Sequence, residues 1–299
     1  MVLDAETLTF QASTLKIVAR HGLWRYTTPY RPQRRKNSMS HAARDHEPDL
    51  IAVIRIPKCA STSLWRLSEA AWPDQQHFSI PSTFRPEMQV NRWEHWRMER
   101  ARRRRSRSDY GTPRWEGVVA RIKNEARDGD VLGGGHNDLR HLRQISTRLR
   151  PITVLRDPAD RLMSVWAYGR EGMARLPWLL RFDKAYSKKA ALGDFDTFVS
   201  RLLEHRAAFE NPFAQYLGIA SQAEIAPRLK DDIWLAGVSE AFDAFRIALE
   251  ERVGRKLPER KDNVTASRAP MAVSAATQRK IEALCALDYE IYEAVRSSV

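Results

Sequence analysis

The sequence predicts an α/β fold in which a central parallel sheet is flanked by helices on both faces. Two observations support this fold class. Short apolar segments such as LIAVIRI (50–56) and ITVL (152–155) are rich in β-branched residues, as buried parallel strands are. Segments with apolar residues at helical spacing follow these strands, and an alternation of strands and helices is typical of a parallel sheet covered on both sides.

The predicted elements begin near residue 49. The strand at 50–56 precedes a helix at 62–72, which Pro73 ends. After the strand at 152–155, Asp157 can cap a helix whose first turn suits a proline. The other predicted elements are a helix at 118–126, a short strand entering the glycine turn of DVLGGGHNDL (130–139), a helix at 195–209, a strand with a cap in IWLAGVSE (233–240), and helices at 242–253 and 278–296.

The chain divides unevenly along its length. Its 299 residues, 43% of them hydrophobic, suffice for one large domain or two small ones. Residues 25–49 mix proline, arginine, serine and histidine without apolar periodicity. We therefore interpret residues 1–48 as an N-terminal arm of unassigned role and residues 49–299 as the main domain, with a basic insert near 92–115.

Cysteine content and hydropathy favour a reducing compartment. The two cysteines, Cys59 and Cys285, are too few for a disulfide framework and lack the spacing of a zinc site. No segment approaches the roughly 18 apolar residues of a membrane helix, and residues 1–24 lack the basic start and apolar core of a signal peptide. A cytoplasmic location is therefore expected of the chain as given.

The charge of the chain favours anionic partners. Lys and Arg number 50 against 37 Asp and Glu, a formal net charge of +13. The basic residues concentrate at 25–36 and 92–108. The arginine-rich run at 97–107 is either a solvated helix face or insert, or an approach for an anionic acceptor. Nucleic-acid binding is a further alternative, although the aromatic residues near this run follow no base-stacking module.

The segment VIRIPKCASTSL (53–64) joins the first strand to its helix. In a parallel sheet, ligands bind at the carboxyl ends of the strands, and a helix N-terminus presents N–H groups and a partial positive charge. Lys58 adds a full charge, and Ser61, Thr62 and Ser63 add hydroxyl donors. The segment predicts an anion site, with an ordinary surface turn as the alternative. It is not the GxxxxGK(S/T) loop of nucleotide triphosphatases, since its lysine comes first and glycines are missing.

Two motifs resemble those of sulfotransferases. RIPKCASTSL (55–64) resembles their phosphosulfate-binding loop, and VLRDPADRLMSVW (154–166) resembles their RDPxxRxxS signature, which binds the 3'-phosphate of 3'-phosphoadenosine 5'-phosphosulfate (PAPS). The PKxxSTS form of the loop is similar to that of the carbohydrate-modifying branch, which includes the uronyl 2-O-sulfotransferases. NPFAQYLGI (211–219) and GVSEAFDAF (237–245) also resemble segments of that branch, so the likeness runs from about residue 49 to the C-terminus.

The resemblance implies a P-loop-like fold, PAPS as the donor, 3'-phosphoadenosine 5'-phosphate as the product, and no metal. It implies that Lys58 contacts the 5'-phosphosulfate and stabilises charge on the bridging oxygen, while Arg156 and Ser164 hold the 3'-phosphate. The implied acceptor is a hydroxyl, most simply on a glycan or other anionic sugar, without specific nucleic-acid binding or a membrane span. The other implied donor contacts are Pro57, Ala60, Ser61, Thr62 and Ser63.

Transfer to a hydroxyl also requires a group that removes the proton of the acceptor. His136, in GGGHNDL, matches the Gly-His segment that holds the base in the 2-O-sulfotransferases, and the glycines would let a bulky sugar approach the imidazole. The alternative is that His136 caps a turn. His141, flanked by two arginines, is expected to be solvated. Other potential bases, which no pattern supports, are His77, His95, Glu69 and Glu171.

Residues near the two motifs have simpler interpretations. Arg161 is expected to pair with Asp157 or Asp160 on the helix surface, and Cys59 to be a small packing residue and not a nucleophile. The aromatic residues after the second motif, which more often belong to a core but can also stack on a sugar, are Trp166 and Tyr168.

Two other function classes stay open. A nucleotide or sugar kinase would share the fold and an early lysine loop in outline, but it would need a GK(S/T) loop and an acidic residue that holds magnesium at a strand end. A basic nucleic-acid-binding protein would rest on the arginine clusters alone.

Overall fold

The structure, a computed structural model, describes residues 47–82, 115–174, 188, 190–259 and 273–298. Its strands are β1 (Leu50–Ile54), β2 (His77–Ile80), β3 (Val131–Gly134), β4 (Leu149–Leu155) and β5 (Leu235–Val238). They form one sheet in the order β2-β3-β1-β4-β5, in which every neighbouring pair is parallel.

Helices connect these strands. Within the described residues they are α1 (Ser61–Ala71), α2 (Trp115–Glu125), α3 (Leu139–Arg143), α4 (Pro158–Ala174), α5 (Phe195–Glu204), α6 (Arg206–Phe209), α7 (Pro212–Leu217), α8 (Ile225–Asp231), α9 (Phe242–Val253), α10 (Ala275–Leu284) and α11 (Ala286–Arg296). Short 3-10 turns precede α8, at Gln222–Glu224, and α9, at Ser239–Ala241.

The alternation of side chains along β1 divides the core into two layers. Leu50 and Ile54 point into a cluster that includes residues of α2, α7 and α11. Ile51 and Val53 point into a second cluster, which contains residues of α1 and α9. The sheet is thus covered on both faces, and the predicted fold class is confirmed. A third cluster, formed by residues of α4, α5 and α10, lies beside these two.

Several predicted boundaries were wrong. β1 ends at Ile54, because Arg55 leaves the hydrogen-bonded ladder. The helix expected at 195–209 is interrupted at His205, and the one expected at 278–296 is interrupted at Cys285, since both residues leave the helical region, with φ −115° and −124°. The Ser-Glu end of the strand at 233–240 does not cap α9, because a 3-10 turn lies between them.

The predictions also missed β2, α3, α7 and α8. These elements contain four to seven residues each, too few for a hydrophobic period to be recognised. The predicted arm (1–48) falls outside the described part of the chain apart from residues 47 and 48, as does the basic insert apart from Trp115. The domain division therefore stays a prediction. No helix of the described residues is long and apolar enough to cross a bilayer.

Candidate active site

The carboxyl ends of β3, β1 and β4 lie side by side, because these strands are neighbours and run parallel. His136 follows β3, Lys58 follows β1, and Arg156 is the first residue after β4. The topology therefore brings three residues that the sequence singled out to one edge of the sheet. This edge is where parallel α/β proteins bind their ligands.

Residues 55–60 form a tight connection between β1 and α1, which we call the lysine loop. Lys58 and Ala60 have left-handed backbone conformations, with φ of 67° and 50°, although neither is a glycine. Such conformations cost about 1–3 kcal/mol each and persist where the surroundings hold them. Ala60 is also the N-cap of α1, and its methyl group cannot accept a hydrogen bond from the first turn. An anion is a suitable partner for the N–H groups at such a helix start.

Cys59 belongs to this loop, and its side chain packs into the core and is 1% exposed. Burial raises the pKa of its thiol to about 12, while the charges of Arg161 and Arg156 act in the opposite direction. The thiol is therefore protonated near neutral pH and is a poor nucleophile. This environment supports the interpretation of Cys59 as a packing residue.

The side chain of Lys58 lies over the ring of Tyr168, with Nζ 4.0 Å from the ring centroid. Tyr168 belongs to α4 and is 56% exposed. The Nζ atom of Lys188 lies 5.9 Å from the same centroid. The lysine loop is thus bordered by an exposed aromatic ring and a second ammonium group, and the sequence had given no reason to single out Lys188.

Trp166 has a different environment from Tyr168. Its ring packs against Phe195 with a centroid distance of 5.7 Å, and its Nε1 donates to the carbonyl of Gly193 at 3.0 Å. The guanidinium of Arg170 lies 5.2 Å from the Trp166 centroid. These contacts place Trp166 at the margin of the third core cluster and leave Tyr168 as the more accessible ring of the two.

Among the described residues, two hydrogen bonds hold His136. Its backbone N–H donates to Oγ of Ser82 at 2.9 Å, and its Nδ1 lies 2.6 Å from the backbone carbonyl oxygen of Arg55. Because a carbonyl oxygen can only accept, Nδ1 carries the hydrogen, and Nε2 is the nitrogen that holds the lone pair in the neutral ring. This tautomer is able to take a proton at Nε2.

Two of the three glycines before His136 are required by packing. A Cβ atom on Gly133 would lie 2.2 Å from a ring carbon of Trp65, and one on Gly135 would lie 2.5 Å from the carbonyl oxygen of Ile80. Both distances are shorter than real contacts allow. Packing therefore explains why glycine occupies these two positions, whereas the sequence had suggested that glycine lets a sugar approach the imidazole.

Arg156 lies at the junction of β4 and α4, and Ser164 is the seventh residue of α4. Ser164 is 6% exposed. The Nε atom of Arg156 is buried and has no hydrogen-bond partner among the described residues. Asp157 caps α4 as predicted, since its Oδ1 accepts from the N–H of Asp160 at 3.0 Å. The charge of Arg156 lowers the pKa of Cys59, which belongs to the lysine loop. A partly buried cation whose buried Nε has an unused hydrogen suits an anionic ligand.

Arg161 does not form the expected ion pair with Asp157 or Asp160, and that prediction was wrong. Its guanidinium carbon lies 5.8 Å from the ring centroid of Phe213, in α7, and its Nε is buried without a hydrogen-bond partner in the part of the chain that is described. α4 directs this side chain toward α7 and α11, where its charge acts on Asp288. Arg161 is therefore partly buried between helices, and it does not lie on the helix surface beside the two aspartates.

The segments NPFAQYLGI (211–219) and LDYEIYEAV (287–295) contact each other through an arrangement that we call the Asn-Asp clamp. The two carboxylate oxygens of Asp288 accept from the N–H groups of Phe213 and Ala214, both at 3.1 Å. In return, Oδ1 of Asn211 accepts from the N–H of Leu287 at 2.9 Å and from that of Asp288 at 3.3 Å. The clamp fixes the start of α7 against the start of α11.

The other potential bases lie in less suitable places. His141 is only partly solvated, with 34% of its side chain exposed. Its Nδ1 lies 2.9 Å from Oδ1 of Asp138, and its ring packs edge-on against Trp115. His77 begins β2, so it lies at the opposite, amino end of a strand. Glu69 and Glu171 are exposed helix residues, and His95 lies outside the described residues. Within the described ranges, no group of three or more His, Cys, Asp or Glu side chains is arranged to hold a metal ion.

Arg55, like Lys188, is a site residue that sequence reasoning missed. Its Nη1 donates to the carbonyl of Gly134, and its Nε donates to the carbonyl of Ser61 at 3.1 Å. The one sequence feature that pointed to it is a charge at the end of an apolar strand.

Comparison with known proteins found similarity to solved structures. No protein-family model and no curated protein sequence matches the chain. Among solved structures, the chain is similar to the crystal structure of a sulfotransferase from Alicyclobacillus acidocaldarius, with 13% sequence identity, a TM-score of 0.41, and 84% of this chain and 96% of that chain covered. The chain's own residues define its class: an α/β protein whose sheet edge gathers a lysine loop, an oriented histidine and a partly buried arginine.

Proposed function

We propose that this protein is a sulfotransferase that moves a sulfuryl group from PAPS to a hydroxyl group of an acceptor, most simply a carbohydrate or glycoconjugate. The observation that carries the proposal is the arrangement at the carboxyl edge of the sheet. Three neighbouring parallel strands end beside Lys58, His136 and Arg156. This arrangement supports roles for a cation at the departing phosphate, a base at the acceptor and a second cation at another phosphate. PAPS is a bis-phosphorylated donor and needs two separate anion sites.

The lysine loop is the proposed site of the 5'-phosphosulfate. The start of α1 offers backbone N–H groups and a partial positive charge, and no side-chain cap competes for them at Ala60. The hydroxyl groups of Ser61, Thr62 and Ser63 add donors. The left-handed conformation of Lys58 lets the chain turn within the six residues of the loop from the strand to the helix. The resemblance also counts Pro57 and Ala60 among the residues that contact the donor.

Arg156 and Ser164 are the proposed partners of the 3'-phosphate. The buried Nε of Arg156, which has no hydrogen-bond partner in the described part of the chain, fits this role, because a phosphate oxygen would satisfy it. Ser164 lies in the interior of α4 and is nearly buried. ATP has no 3'-phosphate, so these two residues would distinguish PAPS from ATP.

His136 is the proposed general base. In the neutral tautomer set by the Arg55 carbonyl, Nε2 removes the proton of the acceptor hydroxyl. The acceptor oxygen forms a bond to sulfur as the bond between sulfur and the bridging oxygen breaks, and Lys58 stabilises the negative charge that the departing phosphate takes. The donor supplies the activated sulfuryl group, and the protein supplies position and charge.

The acceptor class is proposed from charge and from Tyr168. A net charge of +13 attracts anionic acceptors such as uronate-bearing or sulfated glycans. The exposed ring of Tyr168, with two ammonium groups within 6 Å of its centroid, could face both the apolar side of a sugar ring and its acidic substituents.

Transfer of labelled sulfate from PAPS tests this proposal. Purified protein would be incubated with a uronate-bearing oligosaccharide, a neutral oligosaccharide and a tyrosine peptide. We expect label on the acidic sugar. The transfer rate should fall at least about 100-fold in the Lys58→Ala variant, because the positive charge that stabilises the transition state is removed. Lys230→Ala, which removes an exposed lysine of α8, is the matched control. Full activity of Lys58→Ala, or no transfer to any acceptor, would contradict the proposal.

A further inference from the structure

Arg55 contacts both of the loops on which the chemistry depends. It is the first residue after β1, and three of its polar atoms make contacts across the edge of the sheet. Its Nε donates to the carbonyl of Ser61, the first residue of α1, at 3.1 Å. Its Nη1 donates to the carbonyl of Gly134, and its own carbonyl accepts from Nδ1 of His136 at 2.6 Å.

The bond to Ser61 closes the lysine loop. The chain leaves the sheet at Arg55 and enters the helix at Ser61, and between them Lys58 and Ala60 hold left-handed conformations without being glycines. Two such residues together cost about 2–6 kcal/mol, so the loop keeps this shape only while neighbouring contacts hold its ends. The Arg55 side chain provides a contact from one end of the loop to the other.

The other two contacts hold the histidine. Gly134 lies two residues before His136, so the Nη1 bond fixes the backbone that carries the ring, and the carbonyl of Arg55 fixes the ring itself. A guanidinium can make both side-chain bonds at once because Nε and Nη1 are separate donors in a rigid planar fork. A lysine at this position has a single nitrogen on a flexible stem.

We propose that Arg55 is a positioning residue that holds the lysine loop and His136 at a fixed distance from each other. The assignment of chemistry to the two loops rests on the proposed function, whereas the positioning itself rests on the contacts alone. Arg55 itself touches no reacting atom in this scheme. One residue thus fixes the positions of both the cation at the leaving oxygen and the base at the acceptor hydroxyl.

The test compares Arg55→Gln and Arg55→Lys with Arg121→Gln, which removes an exposed arginine of α2. The first readout needs no activity: ¹⁵N NMR of the imidazole rings above pH 8, with the His136 signal identified by its loss in His136→Gln. We expect the wild type to show hydrogen on Nδ1. In Arg55→Gln, a mixture of tautomers is expected, because the backbone at Gly134 is no longer held.

The second readout is the kinetics of sulfate transfer. We expect kcat to fall about 100-fold in Arg55→Gln, as expected for a misplacement of about 1 Å, while KM for the acceptor changes less than threefold. Arg55→Lys should recover part of the loss, since it keeps the charge and one donor, and Arg121→Gln should match the wild type. Melting curves would verify folding, and Arg55→Lys decides the question if Arg55→Gln does not fold.

The outcomes separate this proposal from the proposed function. Wild-type kcat together with a wild-type tautomer in a folded Arg55 variant would overturn the positioning role. If the wild type transfers no sulfate but the tautomer changes in Arg55→Gln, the proposed function is contradicted and the positioning role is supported. A loss in Arg55→Gln that appears in KM alone would also overturn it, since it would indicate a contact with the acceptor.

Discussion

Replacing Asp288 by Asn should remove a loss of stability that the protein undergoes between pH 5 and 8. Asp288 is completely buried, and burial raises the pKa of its carboxyl from 3.8 to about 7, although the N–H groups of Phe213 and Ala214 lower it. The folded chain therefore holds a proton that the unfolded chain releases near pH 4. The contribution of this group to the free energy of unfolding is fully present below pH 3.8 and falls as the pH rises toward 7. Above pH 7 the contribution no longer changes with pH.

The magnitude follows from the pKa shift. One pKa unit corresponds to about 1.36 kcal/mol, and roughly two units of the shift lie between pH 5 and 8, so the contribution of Asp288 falls by about 3 kcal/mol over this range. Asn is neutral at every pH and has nearly the same shape. Its carbonyl oxygen can accept from one N–H of the clamp but leaves the other without an acceptor, which costs about 1–3 kcal/mol. We expect the wild type to be the more stable protein at pH 5 and to lose that advantage by pH 8.

Urea unfolding followed by circular dichroism at pH 5, 6, 7 and 8, at constant ionic strength, would measure the difference. Asp231→Asn, which removes an exposed carboxylate of α8, controls for the change in net charge and should follow the wild type. Parallel stability curves for the wild type and Asp288→Asn would refute the reasoning. They would mean that the two N–H donors and Arg161 offset the cost of burial completely.

Three further predictions concern the site and its packing. His136→Gln should lower kcat by about 10²- to 10⁴-fold and remove the acidic limb of the pH–rate profile, because glutamine cannot take a proton; an unchanged profile would exclude His136 as the base. Gly133→Ala should cost about 1–3 kcal/mol of stability, since its Cβ would lie 2.2 Å from the ring of Trp65, whereas Gly117→Ala in α2, with nothing within 4 Å, should add about 0.5–1 kcal/mol. Equal melting temperatures for these two variants would contradict the packing described. The thiol of Cys59, whose pKa is raised to about 12 by burial, should react with a disulfide reagent only as fast as the protein unfolds; prompt labelling of the native protein would show that the thiol is accessible.

The sequence predicted the two strand-loop-helix units well, for physical reasons. The strands at 50–56 and 152–155 are apolar on both faces, which only a buried strand tolerates, and Asp157 caps the helix that follows, as such residues do. The convergence of Lys58, His136 and Arg156 followed from the rule that parallel strands present their carboxyl ends at one edge.

The sequence did not predict contacts between distant segments. Arg55 and Gly134 are 79 residues apart, and the amide side chain of Asn211 and the N–H of Leu287 are 76 residues apart. No local pattern connects such pairs. The orientation of Arg161 was missed for a similar reason: on a helix surface its nearest carboxylates are local, but packing turned it toward α7.

Calorimetric titration with 3'-phosphoadenosine 5'-phosphate tests the central claim most directly. The account predicts one site per chain, much weaker binding of ATP, and a loss of about 10- to 100-fold in affinity in Arg156→Gln, because a charge-assisted contact with the 3'-phosphate contributes about 1.5–3 kcal/mol. Arg121→Gln should bind as the wild type does. If ATP binds as tightly as 3'-phosphoadenosine 5'-phosphate, or if Arg156→Gln retains full affinity, the proposed donor site is contradicted.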